Sequence, residues 1–253
     1  MTPREAAREA LARLEARAKA SDDPSFAADV ALLGAAIEGD APAPLSSDPA
    51  HVEQRLRRNH QVIMTLARSE SLSRGALDES LREITESASK ILGVERSSVW
   101  VYNADQSAIL CLELFQRSTG AHQSGIELPK ASFPAYFEAL KEERSIAAHD
   151  AHTDPRTREF SETYLKPLHI QSMLDAPIRV GGRMIGVLCN EQVGAARTWS
   201  IDEEQFASSL ADFIALAMES SQRRETEQQL RTMLQDYEEA LPLAASTIGD
   251  AEG

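Results

Sequence analysis

The sequence has little that would staple it, anchor it in a bilayer or give it a basic face. Its two cysteines, Cys111 and Cys189, are too few for a disulfide framework, so free thiols and a cytoplasmic location are expected. No apolar run approaches bilayer-crossing length, and the N-terminal TPREAAREALARLEARAKA lacks the apolar core of a signal peptide. Only 26 bases stand against 40 acids, a formal charge of −14. That balance excludes the basic footprint of a nucleic-acid binder and disfavours anionic membrane surfaces. There is no nucleophile elbow, no phosphate-cradling glycine loop and no triad. No catalytic residue and no metal site is assigned, and an enzyme is not expected.

Charge and breakers divide what is present. Residues 1–48 read as a helical appendage and linker. Thr2-Pro3-Arg4-Glu5 fits a capping box beside Met1, as at a genuine N-terminus. A second helix is expected over about 24–37, then the linker GDAPAPLSSDP. Residues 49–76 read as a coiled-coil-like linker helix. Val52, Leu56, Asn59, Ile63 and Leu66 recur at alternating steps of four and three, with Asn59 as the polar core position. The same stripe also suits a helix packed on its own domain; the narrow seam favours self-association. A further helix is expected from about Ala76 to Leu92, stopped by Gly93.

From Val94 the hydrophobic period changes from helical to alternating. Strands are predicted over 94–103 and 107–116, with a weaker one over 124–128. Ser132 to Glu143 reads as a helix and Ser145 to His149 as a short strand. Asp154-Pro155 is expected to open another helix running to about Lys166, with Asp154 as its N-cap. Strands over 172–180 and 183–193 flank Gly181-Gly182, a strong hairpin signal. Ser200-Ile201-Asp202-Glu203 is a second capping box. It opens a long helix with Phe206, Leu210, Phe213, Ile214, Ala217 and Met218 on its apolar side. That seam continues through Leu230, Leu234 (or Met233), Tyr237 and Leu241 until Pro242, followed by a frayed tail.

The stretch SMLDAPIRVGGRMIGVLCNEQVGAARTWSIDEEQFASSLADFIALAM resembles the GAF domain, a sensory module similar in shape to PAS domains. The residues carrying the resemblance are Asp175-Ala176-Pro177-Ile178, Gly186-Val187-Leu188, and Trp199 ahead of Asp202-Glu203-Glu204. HDAHTDPRTREF and YLKPLHIQSMLDAPI extend it toward a bacterial subgroup found beside signalling enzymes. The resemblance spans roughly 77–221, leaving 222–253 as a C-terminal signalling helix and tail. It implies an α+β fold with a central antiparallel sheet of about six strands. Helices from both ends would pack on one face, and the other face would form a pocket under an irregular roof.

Aromatics are only 5% of the chain, yet Phe133, Tyr136, Phe137, Phe160 and Tyr164 all fall in that roof. They suit the wall of a small-molecule pocket. They equally suit a plug on the open sheet face. With them, Phe115, His149, Asp150, Arg156, Ser172 and Leu174 are the candidate ligand residues. Arg156 and Arg158 beside the expected helix start at Asp154-Pro155 are a candidate anion site, the other reading being two solvated arginines on an acidic protein. The cyclic-nucleotide pattern of the family falls on Asn190, Glu191, Trp199, Glu203 and Glu204, with an acid where its Lys stands. Neither cysteine is followed by His, as a bilin-binding domain needs, and two cysteines are too few for the family's methionine sulfoxide reductases. No cofactor is assigned. The expected function is a sensory or regulatory protein acting as a homodimer. Its interface would be Val52, Leu56, Asn59, Ile63, Leu66, Phe213 and Met218, forming a helical bundle. A small molecule would be read and the signal passed to a separate partner such as a kinase or a cyclic-dinucleotide enzyme. The alternative is a ligand-free dimerisation and protein-docking module.

Overall fold

A computed structural model of the chain describes residues 49–249, with side chains from 52 to 235 and at Tyr237. The two expected helices before residue 48, the proposed start at Met1 and the final tail lie outside the described residues.

Three helices come first: α1 (Pro49–Leu66), the short α2 (Glu70–Arg74) and α3 (Leu77–Leu92). Strands β1 (Arg96–Tyr102), β2 (Ala108–Gln116), β3 (Ala121–Gln123) and β4 (Glu127–Pro129) follow. Then come α4 (Pro134–Glu142), β5 (Ile146–Ala148), β6 (Ile170–Val180), β7 (Arg183–Val193) and α5 (Ile201–Gly249). The strands form one seven-stranded antiparallel sheet in the order β3-β2-β1-β7-β6-β5. β3 and β4 share one edge of β2, so six positions lie abreast, as the α+β expectation required.

Local chemistry explains the register. Gly181 and Gly182 both take positive φ, which the β6–β7 hairpin turn demands and which side chains resist. Gly186 on β7 lies so close to β1 that an added Cβ would sit 2.1 Å from the Trp100 carbonyl oxygen. Pro177 can occupy β6 because β5 stops pairing at Asp175, two residues before it.

The alternation of each strand divides the interior into two cores. On one face, α1, α3 and α5 bury Leu66, Leu81, Ile84, Phe206, Leu210 and Ile214 against Val99, Leu174, Ile178 and Leu188. On the other, α4 and the segment before β6 bury Phe133, Tyr136, Phe137, Leu140, Phe160 and Leu165 against Trp100, Ile109, Met173, Val187 and Cys189. The chain thus brings its N- and C-terminal helices to one side and its irregular middle to the other.

Several expectations need correction. The helix expected over Asp154–Lys166 is instead a 3-10 turn (Arg158–Phe160) running into a π turn (Ser161–Leu165). Asp154 does not cap a helix; its Oδ1 accepts the Arg156 N–H in a local Asx-type turn. Thr157, buried, donates its hydroxyl to the Ala151 carbonyl and pins this turn from inside. α5 does not stop at Pro242 but runs on to Gly249. Proline removes one helical donor there without ending the helix. The α1 seam serves the chain's own domain: Asn59 and Leu66 are buried and Ile63 packs on the helix-side core. Val52 is half-buried and Leu56 is exposed. Phe213 and Met218 also pack on that core, partly buried. Most of the expected interface set is thus engaged within the chain's own domain, with Leu56 left exposed.

Candidate functional site

The site is the sheet face beneath α4. Phe133 stacks on Phe160 with centroids 3.9 Å apart, and Tyr136 meets Phe160 edge-on at 4.8 Å. Phe137 packs edge-on against Tyr136, and Tyr164 flanks Phe160. Five of the candidate aromatics therefore form one continuous roof. Below them, Trp100, Ile109, Met173, Cys189 and Glu191 join Leu128, Tyr136, Phe160 and Tyr164 around a residual cavity of about 10 Å³. That is room for about one water molecule. In this state the face is filled by its own side chains.

Polar groups concentrate on the floor. Tyr136 reaches from α4 to the central sheet and donates its hydroxyl to Asp175 Oδ2 at 2.7 Å. Its oxygen also lies 3.6 Å from Cys189 Sγ. Asp175 is fully buried, and its Oδ1 has no hydrogen-bond partner among the described residues. Burial, opposed by the Tyr136 hydroxyl, pushes its carboxyl up to about 7. Beside it, Arg96 Nε donates to Glu191 Oε2 at 2.7 Å, both side chains buried. Burial works against the Arg96 charge, but Glu191 and Tyr164 outweigh it and raise its pKa. Burial raises the Tyr136 and Tyr164 hydroxyls as well. Cys189 is held far above its ordinary value by burial and then by Asp175. Cys111 is pushed up to about 12 by burial and then by Glu113. Both thiols stay protonated near neutral pH, which denies them nucleophile chemistry.

The remaining candidates lie elsewhere. Leu174 points into the helix-side core. Ser172 accepts the Arg197 backbone N–H and donates to the His149 carbonyl, bracing the approach to α5. Phe115 is half-buried at the sheet edge, against His122 with centroids 5.0 Å apart. His149 and Asp150 are exposed; His149 Nδ1 accepts the Trp199 backbone N–H, and Asp150 accepts the His152 N–H. Arg156 folds back on Asp154, Glu143 and the Ala147 carbonyl, so its charge is paired rather than offered to an anion. With no helix starting at Asp154, the expected anion site loses its dipole and the Arg156 charge, while Arg158 is exposed.

The cyclic-nucleotide positions are tied up within the chain. Asn190 accepts from Ser97 and donates to the Leu174 carbonyl, stitching β7 to β1 and β6. Glu203 closes the capping box with Ser200 and pairs with Arg197. Arg197 also lies over the Trp199 ring, 4.4 Å from its centroid, and Trp199 Nε1 donates to the Ala148 carbonyl. Among the described residues, no three His, Cys, Asp or Glu side chains gather as a metal-ligand set. None of the described helices is long and apolar enough to cross a membrane. Sequence reading missed Asp175, Glu191's ion pair and Arg96. The signal available was one acid in an apolar strand, Asp175 in SMLDAPI.

No curated protein matches the chain. Among solved structures, the GAF domain of an Acinetobacter phosphoenolpyruvate-protein phosphotransferase is 14% identical with a TM-score of 0.52, over 67% of this chain and 95% of that one. Its counterpart from Coxiella burnetii is 16% identical with a TM-score of 0.51, over 68% and 96%. The phytochrome photosensory core module of Stigmatella aurantiaca is 14% identical with a TM-score of 0.56, over 74% of this chain and 41% of that one. At these identities the likeness is one of fold. The GAF domain pattern itself matches residues 76–218, more than half of the chain. On that match, and with the helix-backed antiparallel sheet it shares with these structures, the chain belongs to the GAF domain family.

Proposed function

We propose that this GAF domain is a non-enzymatic cytoplasmic sensor that takes a small molecule beneath the α4 roof and signals through α5. The observation that carries the reading is the bonding between roof and exit helix. Ala148 and His149, at the end of β5, receive the Trp199 indole and backbone N–H groups. The chain that leaves His149 supplies Phe160 to the roof. Trp199 stands immediately before the Ser200 cap of α5. A ligand that lifted Phe160 would pull on the same short segment that seats α5. It would shift the helix to the extent that it favours one seating over the other.

The output is a second copy and then a separate signalling protein, of which a kinase or a cyclic-dinucleotide enzyme is the expected kind. α5 has two apolar faces. Phe206, Leu210 and Ile214 face the core, and Ala217 is buried on the same side. Leu216, Leu230, Leu234 and Tyr237 are exposed, and at roughly 3.6 residues per turn they fall on the opposite side. That outer stripe, rather than the α1 seam, is the proposed dimer contact.

The alternative is a ligand-free dimerisation and docking module, favoured by the residual cavity of only about 10 Å³. Native mass spectrometry with an absorption spectrum separates the two. A small mass or visible band travelling with the dimer supports the sensor; a dimer that never carries one, even from freshly lysed cells, supports the docking module. Substituting Leu230→Lys together with Leu234→Lys is expected to give a monomer in sedimentation. A dimer unaffected by both changes removes the outer stripe from the interface.

A further inference from the structure

We infer that the roofed face selects a ligand whose buried head is a neutral or cationic N–H donor and rejects anionic heads, with Asp175 Oδ1 as the accepting atom. The inference rests on reading this face as a ligand site.

Three observations carry it. First, Asp175 is fully buried with one oxygen unused, although buried polar atoms are nearly always bonded. Its other oxygen is held by Tyr136, and Tyr136 and Cys189 both line the residual cavity. Met173, two residues away on the same face of β6, lines it too. Asp175 itself is not among the lining residues, so a ligand head reaches the orphan acceptor past Tyr136, its hydrogen-bond partner in the cavity wall. Second, the charges that face it are unbalanced. Glu191 on β7 and Asp175 on β6 are acids; Arg96 on β1 is the one buried base among the described residues. Arg96 is already engaged by Glu191 and lies 3.5 Å from the Tyr164 hydroxyl. An anionic head would meet two carboxyls and no free cation. An amide, amine or amidine would meet an unused acceptor. Third, the other titratable groups packed on this face, Tyr102, Tyr136, Tyr164, Cys111 and Cys189, are neutral donors or weak acceptors near neutral pH and cannot neutralise an anion.

Because Asp175 holds its proton up to about 7, a donor head binds best once that proton has left. Affinity should therefore rise as pH rises through that value.

The test uses the full chain with methyl-labelled methionine and three probes of one shape: benzamidine, benzamide and benzoate. The Met173 methyl sits in the cavity wall and reports occupancy; a Met173→Leu sample assigns it. At about pH 8 benzamidine is expected to move this resonance with affinity about tenfold or more above benzoate, as for a hydrogen bond to a charged group. Asp175→Asn should erase that preference. In the wild-type protein, benzamidine affinity should climb between about pH 6 and pH 8, which tests the inference even where the variant fails to fold. Benzoate binding as well as benzamidine, or a flat pH profile, overturns the inference and leaves the ligand-site reading standing. No movement of Met173 by any probe overturns the ligand-site reading and the inference with it.

Discussion

Asp175 concentrates the physical interest of the site in one side chain. Its folded-state pKa, about 7, lies above the ordinary carboxyl value of 3.8, so the native state binds a proton that the unfolded chain has released. Stability is therefore expected to fall as pH rises from about 4 to about 7 and then to level off. Asp175→Asn keeps the shape and an acceptor for Tyr136 while removing the buried charge. Chemical denaturation should find this variant more stable than wild type at about pH 8, with the gap closing toward about pH 5. Tyr136→Phe should do the reverse, since it leaves both carboxyl oxygens unpartnered; a loss of about 1–3 kcal/mol is expected. Asn59 is a smaller instance. It is buried with an unpartnered Oδ1, so Asn59→Leu should stabilise by about 1 kcal/mol without changing the oligomeric state in sedimentation. At this scale the sequence was partly legible. The roof aromatics stood out because they cluster in a chain poor in aromatics. That Leu174 faces the helix side and Ser172 braces the approach to α5 was not legible, because alternation says that a strand has two faces but not which is which; a one-residue offset exchanges them. Asp175 stayed hidden because its meaning depends on Tyr136, which joins it only through the fold.

Regular elements were legible where a strong local signal exists. The Gly181–Gly182 hairpin, the α3 stop at Gly93 and the Ser200–Glu203 capping box all occur where the residues place them. The 154–166 segment was not legible. Asp-Pro is a fair helix start, but here Arg156 turns back onto Asp154 and Glu143, and Phe160 is drawn under α4 by its stack on Phe133. Tertiary contacts thus replaced an α-helix by a 3-10 turn and a π turn, a form often found where a chain must place side chains irregularly. Gly186 gives the prediction at this scale. Gly186→Ala forces a methyl into the Trp100 carbonyl between β1 and β7, two strands of the sheet's centre. A loss of about 3 kcal/mol, near the upper end for overpacking, is expected in denaturant melts. A change below a few tenths would mean that the two strands part more easily than their pairing implies.

For the whole molecule, the helix-side core and the roof-side core share one sheet but answer to different partners. The helix side fixes α1, α3 and the first part of α5; the roof side holds a nearly closed cavity over buried charges. From Gln222 onward the described side chains of α5 are exposed, and Arg224 ties this part of the helix back to the Arg74 carbonyl of α2. Its apolar stripe at Leu230, Leu234 and Tyr237 is what a second copy would cover. The α1 stripe packs largely on its own domain, and a narrow apolar stripe looks alike in sequence whether it packs there or on another chain. Native mass spectrometry of the freshly purified full chain tests the sensor account most directly. The account predicts a dimer that carries a small molecule on each protomer. A monomer, or a dimer that stays free of any small molecule under the gentlest conditions, would contradict it.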